Sequence, residues 1–226
     1  QSIKKGILME TKGLDFAAIP QTAIKVLTQP AAFFREMPKT GGFAQPLVFT
    51  AALATVSGGI QMVLSLLHPN AMGIAGAGFV ALIVAPIFSA IFSFIGAAIL
   101  FGIWKLAGSQ ENYETAYRCG AYISAIGPIT TLLGPIPYMG AIASLAIMAY
   151  LIVMASVETH KIAARKAWTV FGVIAAILLA MNLSGQHAAR RFAAEMRSGI
   201  PPQSEEMTKQ LEEMQAELAR QEQVQR

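Results

Sequence analysis

Six residues of this 226-residue chain stand out among the ionisable side chains at the edges of apolar runs: Glu111, Glu114, Arg118, Glu158, His160 and Lys161. A carboxylate near a histidine can move protons, and a cation can steady an anion. A thiol such as Cys119 can act as a nucleophile when a base activates it. The spacing supports none of these reactions. Metal or phosphate chemistry needs clustered carboxylates or histidines. The chain has a single aspartate, Asp15, and its three histidines, His68, His160 and His187, fall at separate loops or ends. No HExxH, GxSxG, CxxC or P-loop pattern occurs. The glycines of "GIAGAG" at 73–78 have the wrong spacing for a dinucleotide turn. Cys119 has no histidine near it in sequence and is expected to be a buried, inert thiol. No catalytic residue, cofactor or metal site is expected, and the protein is not expected to be an enzyme.

The elements that position these residues belong to a membrane protein. Apolar residues make up 54% of the chain and charged residues 13%, with a mean hydropathy of +0.52. A soluble domain carries about 25% charged residues. The net charge of +4 shows no basic patch with interleaved aromatics, so nucleic acid is not an expected partner. One cysteine cannot form an internal disulfide. "QSIKKGILMETKGLDF" lacks the apolar core of a signal peptide, and Met9 is a candidate start.

A membrane helix needs about 20 mostly apolar residues. Five stretches qualify: Leu47–Leu67, one within Gly73–Leu106, Thr115–Leu133, Tyr138–Val157 and Ala167–Ser184. The second is long enough to include a short leading segment before Phe79, or a strong tilt. The expected fold is an all-α polytopic bundle of five transmembrane helices. Residues 1–46 form an arm, 47–184 the membrane domain and 185–226 a polar helical tail. "IPQTAIKVLTQPAAFFREMP" reads as an amphipathic interfacial segment outside the bundle, with Pro30 in the first turn of a short helix. In the tail, Met207, Leu211, Met214 and Leu218 form a seam of about two heptads, which leaves self-association open.

Basic residues alternate with bare loops. The arm, "KLAGSQENYETAYR" and "ETHKIAARK" carry them; "HPN" and "GPIP" carry none. This pattern predicts a cytoplasmic N-terminus. Within the second stretch, Ala81, Ala85, Ser89, Ser93 and Ala97 recur every four residues, and Gly172, Ala176, Ala180 and Ser184 do so in the fifth. Such small-residue ridges let helix backbones approach closely in lipid, within one chain or between copies. Pro86 and Pro128 each remove a backbone donor and are expected to kink or break their helices. No ionisable residue lies between Leu47 and Trp104 other than His68, which disfavours ion-coupled transport.

Glu114 precedes Arg118 by four residues, the favourable order for a helical pair. Arg118 can also snorkel to lipid headgroups. Together with Glu111, Glu158, His160 and Lys161 it defines a candidate cytoplasmic recognition edge.

"PAAFFREMPKTGGFAQPLVF", "YETAYRCGAYISAIGPI" and "IPYMGAIASLAIMAYLIVMASVETHKIAARKA" occur in an order and spacing that resemble the bacterial branch of the Yip1 family, over roughly residues 28–185. The resemblance implies a five-span membrane protein with a cytoplasmic N-terminus. Eukaryotic relatives of similar layout act in vesicle traffic, bind Rab-type GTPases and form membrane-protein complexes. Their Asp-Leu-Tyr-Gly-Pro-like motif is missing from this N-terminal region, and the polar tail is longer than is typical. The resemblance transfers no catalytic residue. The expected function is a non-enzymatic membrane organiser that contacts lipids and a protein partner or a second copy. The alternative is passive passage of lipid or small solute through proline-broken spans, using the polar face of Gln61, Ser89 and Ser93.

Overall fold

The computed structural model describes the backbone of residues 17–67 and 71–199, and the side chains of residues 17–67 and 82–194. The chain divides into two compact units, residues 1–180 and residues 181–226. The first is an all-α membrane helix bundle. Its helices are α1 (Ala18–Thr28), α2 (Pro30–Glu36), α3 (Ala44–Leu66), α4 (Ala71–Leu106), α5 (Tyr113–Ile123), α6 (Gly127–Leu133), α7 (Met139–Glu158) and the beginning of α8 (Ala164–Gly199). In the second unit, what is described continues α8, where Gln186 Nε2 donates to Asn182 Oδ1 at 2.7 Å. Asp15, the "HPN" turn and the Met207–Leu218 seam lie outside the described residues.

Among the described residues four helical stretches are long and apolar enough to cross a membrane: Ala44–Leu66, Leu82–Leu106, Met139–Glu158 and Ala164–Ala194. The fifth expected span, Thr115–Leu133, is not one helix. It is α5, a 3-10 turn at Ser124–Ile126, and α6, with Pro128 in the first turn of α6. Proline has no N–H to continue the ladder of α5 but suits a helix start. Pro86 behaves differently, because α4 runs through it: of the expected kink or break, no break occurs there. Packed neighbours can satisfy the carbonyl that such a proline leaves free in a membrane helix. The leading segment expected before Phe79 is likewise part of α4. Its glycines stand in an apolar run with no charged or turn-forming residue to end the helix. At 1.5 Å per residue α4 is about 54 Å long, so it extends well beyond a hydrocarbon core of about 30 Å.

The arm also differs from the expected interfacial segment. Pro30 divides it into two helices, and Gln29 before it leaves the helical region, at φ −135° and ψ 53°, since the residue before a proline is disfavoured in the α region. The arm is built into the bundle. Val26, Phe34 and Met37 are buried in the same core as Phe49, Tyr122 and Leu151. An edge-to-face pair joins the two parts, Phe33–Tyr122 with centroids 5.0 Å apart, and Tyr122 packs in turn on Phe49 of α3 at 5.1 Å. Burying a Val or Phe side chain contributes about 1.5–3 kcal/mol, so these residues hold the arm to the bundle by several kcal/mol.

The small-residue ridge of α4 faces inward where it is described. Ala97 is buried, and a Cβ built on Gly120 of α5 would meet the Ala97 Cβ at 3.9 Å. Ser93 Oγ lies 3.3 Å from the Tyr117 hydroxyl, and that ring stacks on Phe94 at 4.4 Å. Ala85 and Ser89 are half-buried; the Ala81 side chain is outside the described set. At the other end of the bundle α6 and α7 turn tightly. A Cβ on Gly140 would collide with the Leu133 carbonyl, so only glycine fits there.

Candidate functional site

The polar side chains converge where α4 ends, α5 begins and α7 ends. Asn112 caps α5, its Oδ1 accepting from Thr115 N–H at 2.9 Å. This cap satisfies a free first-turn donor and starts α5 at Tyr113. Thr115, Arg118, Cys119 and Tyr122 are among its buried residues. The end of α7 is held by Thr159, whose hydroxyl donates to Phe34 O of the arm at 2.8 Å. Lys161 follows in the left-handed region at φ 55° and brings the chain round to α8.

Two layers of contacts follow. The inner layer is Trp104, Ser109, Ser156 and His160. Trp104 is fully buried and stacks on the His160 ring, centroids 3.9 Å apart. Its Nε1 donates to Ser156 Oγ at 2.7 Å. Ser109 Oγ lies 2.8 Å from His160 Nδ1 and accepts from Glu111 N–H at 3.2 Å. The far ring nitrogen, His160 Nε2, is buried with no hydrogen-bond partner.

The outer layer is a clasp on the arm. Arg35 forks both oxygens of Glu158 at 2.9 Å. Lys39 Nζ reaches Glu111 at 2.6 Å. Glu114 accepts from Gly42 N–H at 2.7 Å. Arg118 is 2% exposed and donates to Pro38 O at 2.7 Å and to Gly42 O at 2.9 Å. Gly41 and Gly42 have φ of +127° and +80°, so only glycine readily turns the backbone to offer both groups of Gly42 to α5.

Burial pushes the His160 imidazole down from 6.5 to about 4; Glu111 pulls it back up, while Lys39 and Lys105 push it further down. The ring is therefore neutral in the folded protein at neutral pH. The unfolded chain takes up a proton near 6.5 and the folded chain only near 4, so the unfolded state binds more protons between these values. Stability from this group is complete above pH 6.5 and is lost as pH falls towards 4. Thermal unfolding in detergent should show a flat Tm above about pH 7 and a decline below it. The decline between pH 6.5 and 5 should flatten in His160→Gln. A wild-type Tm that holds level down to pH 5 contradicts this.

The geometry is that of a structural latch. Among the described residues no group of three or more His, Cys, Asp or Glu could hold a metal ion. The Yip1 domain pattern matches residues 24–184, taking in the second half of the arm, the bundle and the whole clasp. The chain belongs to the Yip1 domain family. No similar curated protein and no similar solved structure was found. With this match and four apolar helices of spanning length, the Yip1 chain is an integral membrane protein. The match begins a few residues before, and ends close to, the bounds read from the sequence.

Of the six edge residues, the structure of this Yip1 domain brings five into the clasp or the layer beneath it. Glu111, Glu114, Arg118 and Glu158 hold the arm, His160 is buried below them, and Lys161 is exposed. Glu114 and Arg118 make no ion pair with each other among the described residues; each turns to the Pro38–Gly42 turn instead. Cys119 is buried, its thiol against Thr159. Sequence reasoning missed Trp104, Ser109, Ser156 and Thr159. The available signal was hydrogen-bonding side chains at the ends of apolar runs, a cue that many membrane helices share.

Proposed function

We propose that this Yip1 domain is a non-enzymatic membrane organiser, and that the clasped arm is the element it offers to a protein partner or to a second copy. The reading is supported by one observation above all: the carboxylates at this end of the bundle, with Arg118, are used to seat an arm rather than to line a cavity. The arm keeps an outward face. Ile24 is 60% exposed, and a groove of about 370 Å³ runs past Thr22, Lys25, Phe33 and Met37. The passage alternative gains no support from the polar face it needs, since Ser93 lies against Tyr117 and Gln61 points outward. The orientation that suits this reading places arm and clasp in the cytoplasm, with the membrane a bacterial inner membrane.

The test is to extract the protein with its native lipids, without detergent, and to identify what accompanies it by mass spectrometry. A stoichiometric protein or second copy, lost in Ile24→Asp while the bundle stays folded, is the expected result. A protein that is alone in both forms, and that moves lipid or solute in proteoliposomes, overturns the organiser reading.

A further inference from the structure

We infer that the corner where α4 ends and α8 begins is a binding site for the headgroup phosphate of an anionic phospholipid. The inference is independent of the organiser reading. It begins from the pairing of charges at this end of the bundle. Glu36 is taken by Lys25, Glu158 by Arg35, Glu111 by Lys39, and Glu114 by the Gly42 amide. The carboxylates are thus spent on the arm side. Lys105, Lys161, Arg165 and Lys166 remain, all exposed, and none forms an ion pair among the described residues. Lys161 lies near Glu158, but both oxygens of that carboxylate are occupied by Arg35.

The four cations share one corner. Lys166 Nζ donates to Ala107 O at 2.8 Å, which ties the start of α8 to the end of α4. Lys105 stands two residues before Ala107, its ammonium 5.5 Å from the Phe101 ring. Phe171 of α8 lies against Trp104 from the same stretch of α4, with centroids 6.3 Å apart. Lys161 and Arg165 flank the turn into α8. The corner stands at the waterline, because membrane-spanning stretches of α4 and α7 end there and that of α8 begins there. Exposed Trp168 one turn further on is the residue type that anchors at the headgroup level. Cations held at that depth, with long stems along apolar surface and heads in the headgroup zone, meet the phosphates of their own leaflet. Each such Lys or Arg adds to the attraction for anionic lipid.

The test uses full-length protein in mild detergent and native mass spectrometry, with phosphatidylglycerol and phosphatidylcholine of identical chains supplied together. Wild type should retain phosphatidylglycerol about tenfold or more in preference, and the triple variant Lys105→Gln/Lys161→Gln/Arg165→Gln should lose that preference. Lys166 is left in place because it caps Ala107, and thermal unfolding checks that the variant stays folded. A single variant, Arg165→Gln, serves if the triple does not fold; it should reduce the preference in part. Equal retention of the two lipids by wild type overturns the inference, as does a preference that survives the substitutions. Displacement of the lipid by millimolar glycerol phosphate overturns it too, since that marks a site for a free phosphate.

Discussion

Arg118→Ala should unfasten the arm and cost about 3 kcal/mol or more of bundle stability. The guanidinium is buried and gives two short hydrogen bonds to backbone carbonyls, Pro38 O and Gly42 O. Hydrogen bonds from a charged group are worth about 1.5–3 kcal/mol each, and their loss here also leaves partly buried carbonyls without their donor. Lysine should not rescue, because it lacks the planar fork that reaches both carbonyls at once. The chain supplies its own probe. Cys119 is its single cysteine, fully buried beside Arg118. In folded wild type a maleimide should label it slowly; in Arg118→Ala labelling should be much faster, at a temperature where the helices remain intact. Unchanged labelling together with an unchanged Tm would show that the arm is held without the Arg118 hydrogen bonds.

The second large effect is expected at Trp104. Truncating a buried aromatic to alanine costs about 3–5 kcal/mol through lost burial and a cavity. Trp104→Ala would also strip the stacked face from His160 and the donor from Ser156 Oγ. Trp104→Phe keeps most of the ring contact and loses the hydrogen bond, so it should cost roughly 1 kcal/mol. A clear step in Tm from Phe to Ala is the expected outcome of detergent unfolding curves. If both variants melt alike, the indole N–H rather than packing carries the contribution of Trp104.

What the sequence made legible follows from local physics. Apolar runs bounded by bare or basic loops marked α3, α4, α7 and α8, because a hydrocarbon solvent leaves few alternatives. Pro30 marked a helix start for the same local reason. Thr115–Leu133 passed as one span because its composition suits lipid; the interruption comes at Ser124–Ile126, just before Gly127–Pro128. The edge residues stood out by charge, yet their direction was not legible. The i,i+4 rule pointed Glu114 and Arg118 at each other. The groups that take them instead sit on Pro38 and Gly42, 72 to 80 residues away. The same distance hid the arm's place in the core, since half-amphipathic helices such as α1 and α2 read alike whether they cover lipid or protein.

The clasp also has a consequence in time. Arg35 and Glu158 are separated by 123 positions, and Phe34 meets Thr159 across 125. At about 5–20 residues per second, the arm waits roughly 6–25 s on the ribosome before its last anchors have been made. During that interval Val26, Phe34 and Met37 have no finished surface to cover them. Closure therefore marks a nascent chain whose α7 has been synthesised and seated, and an arm that stays open marks one that has not.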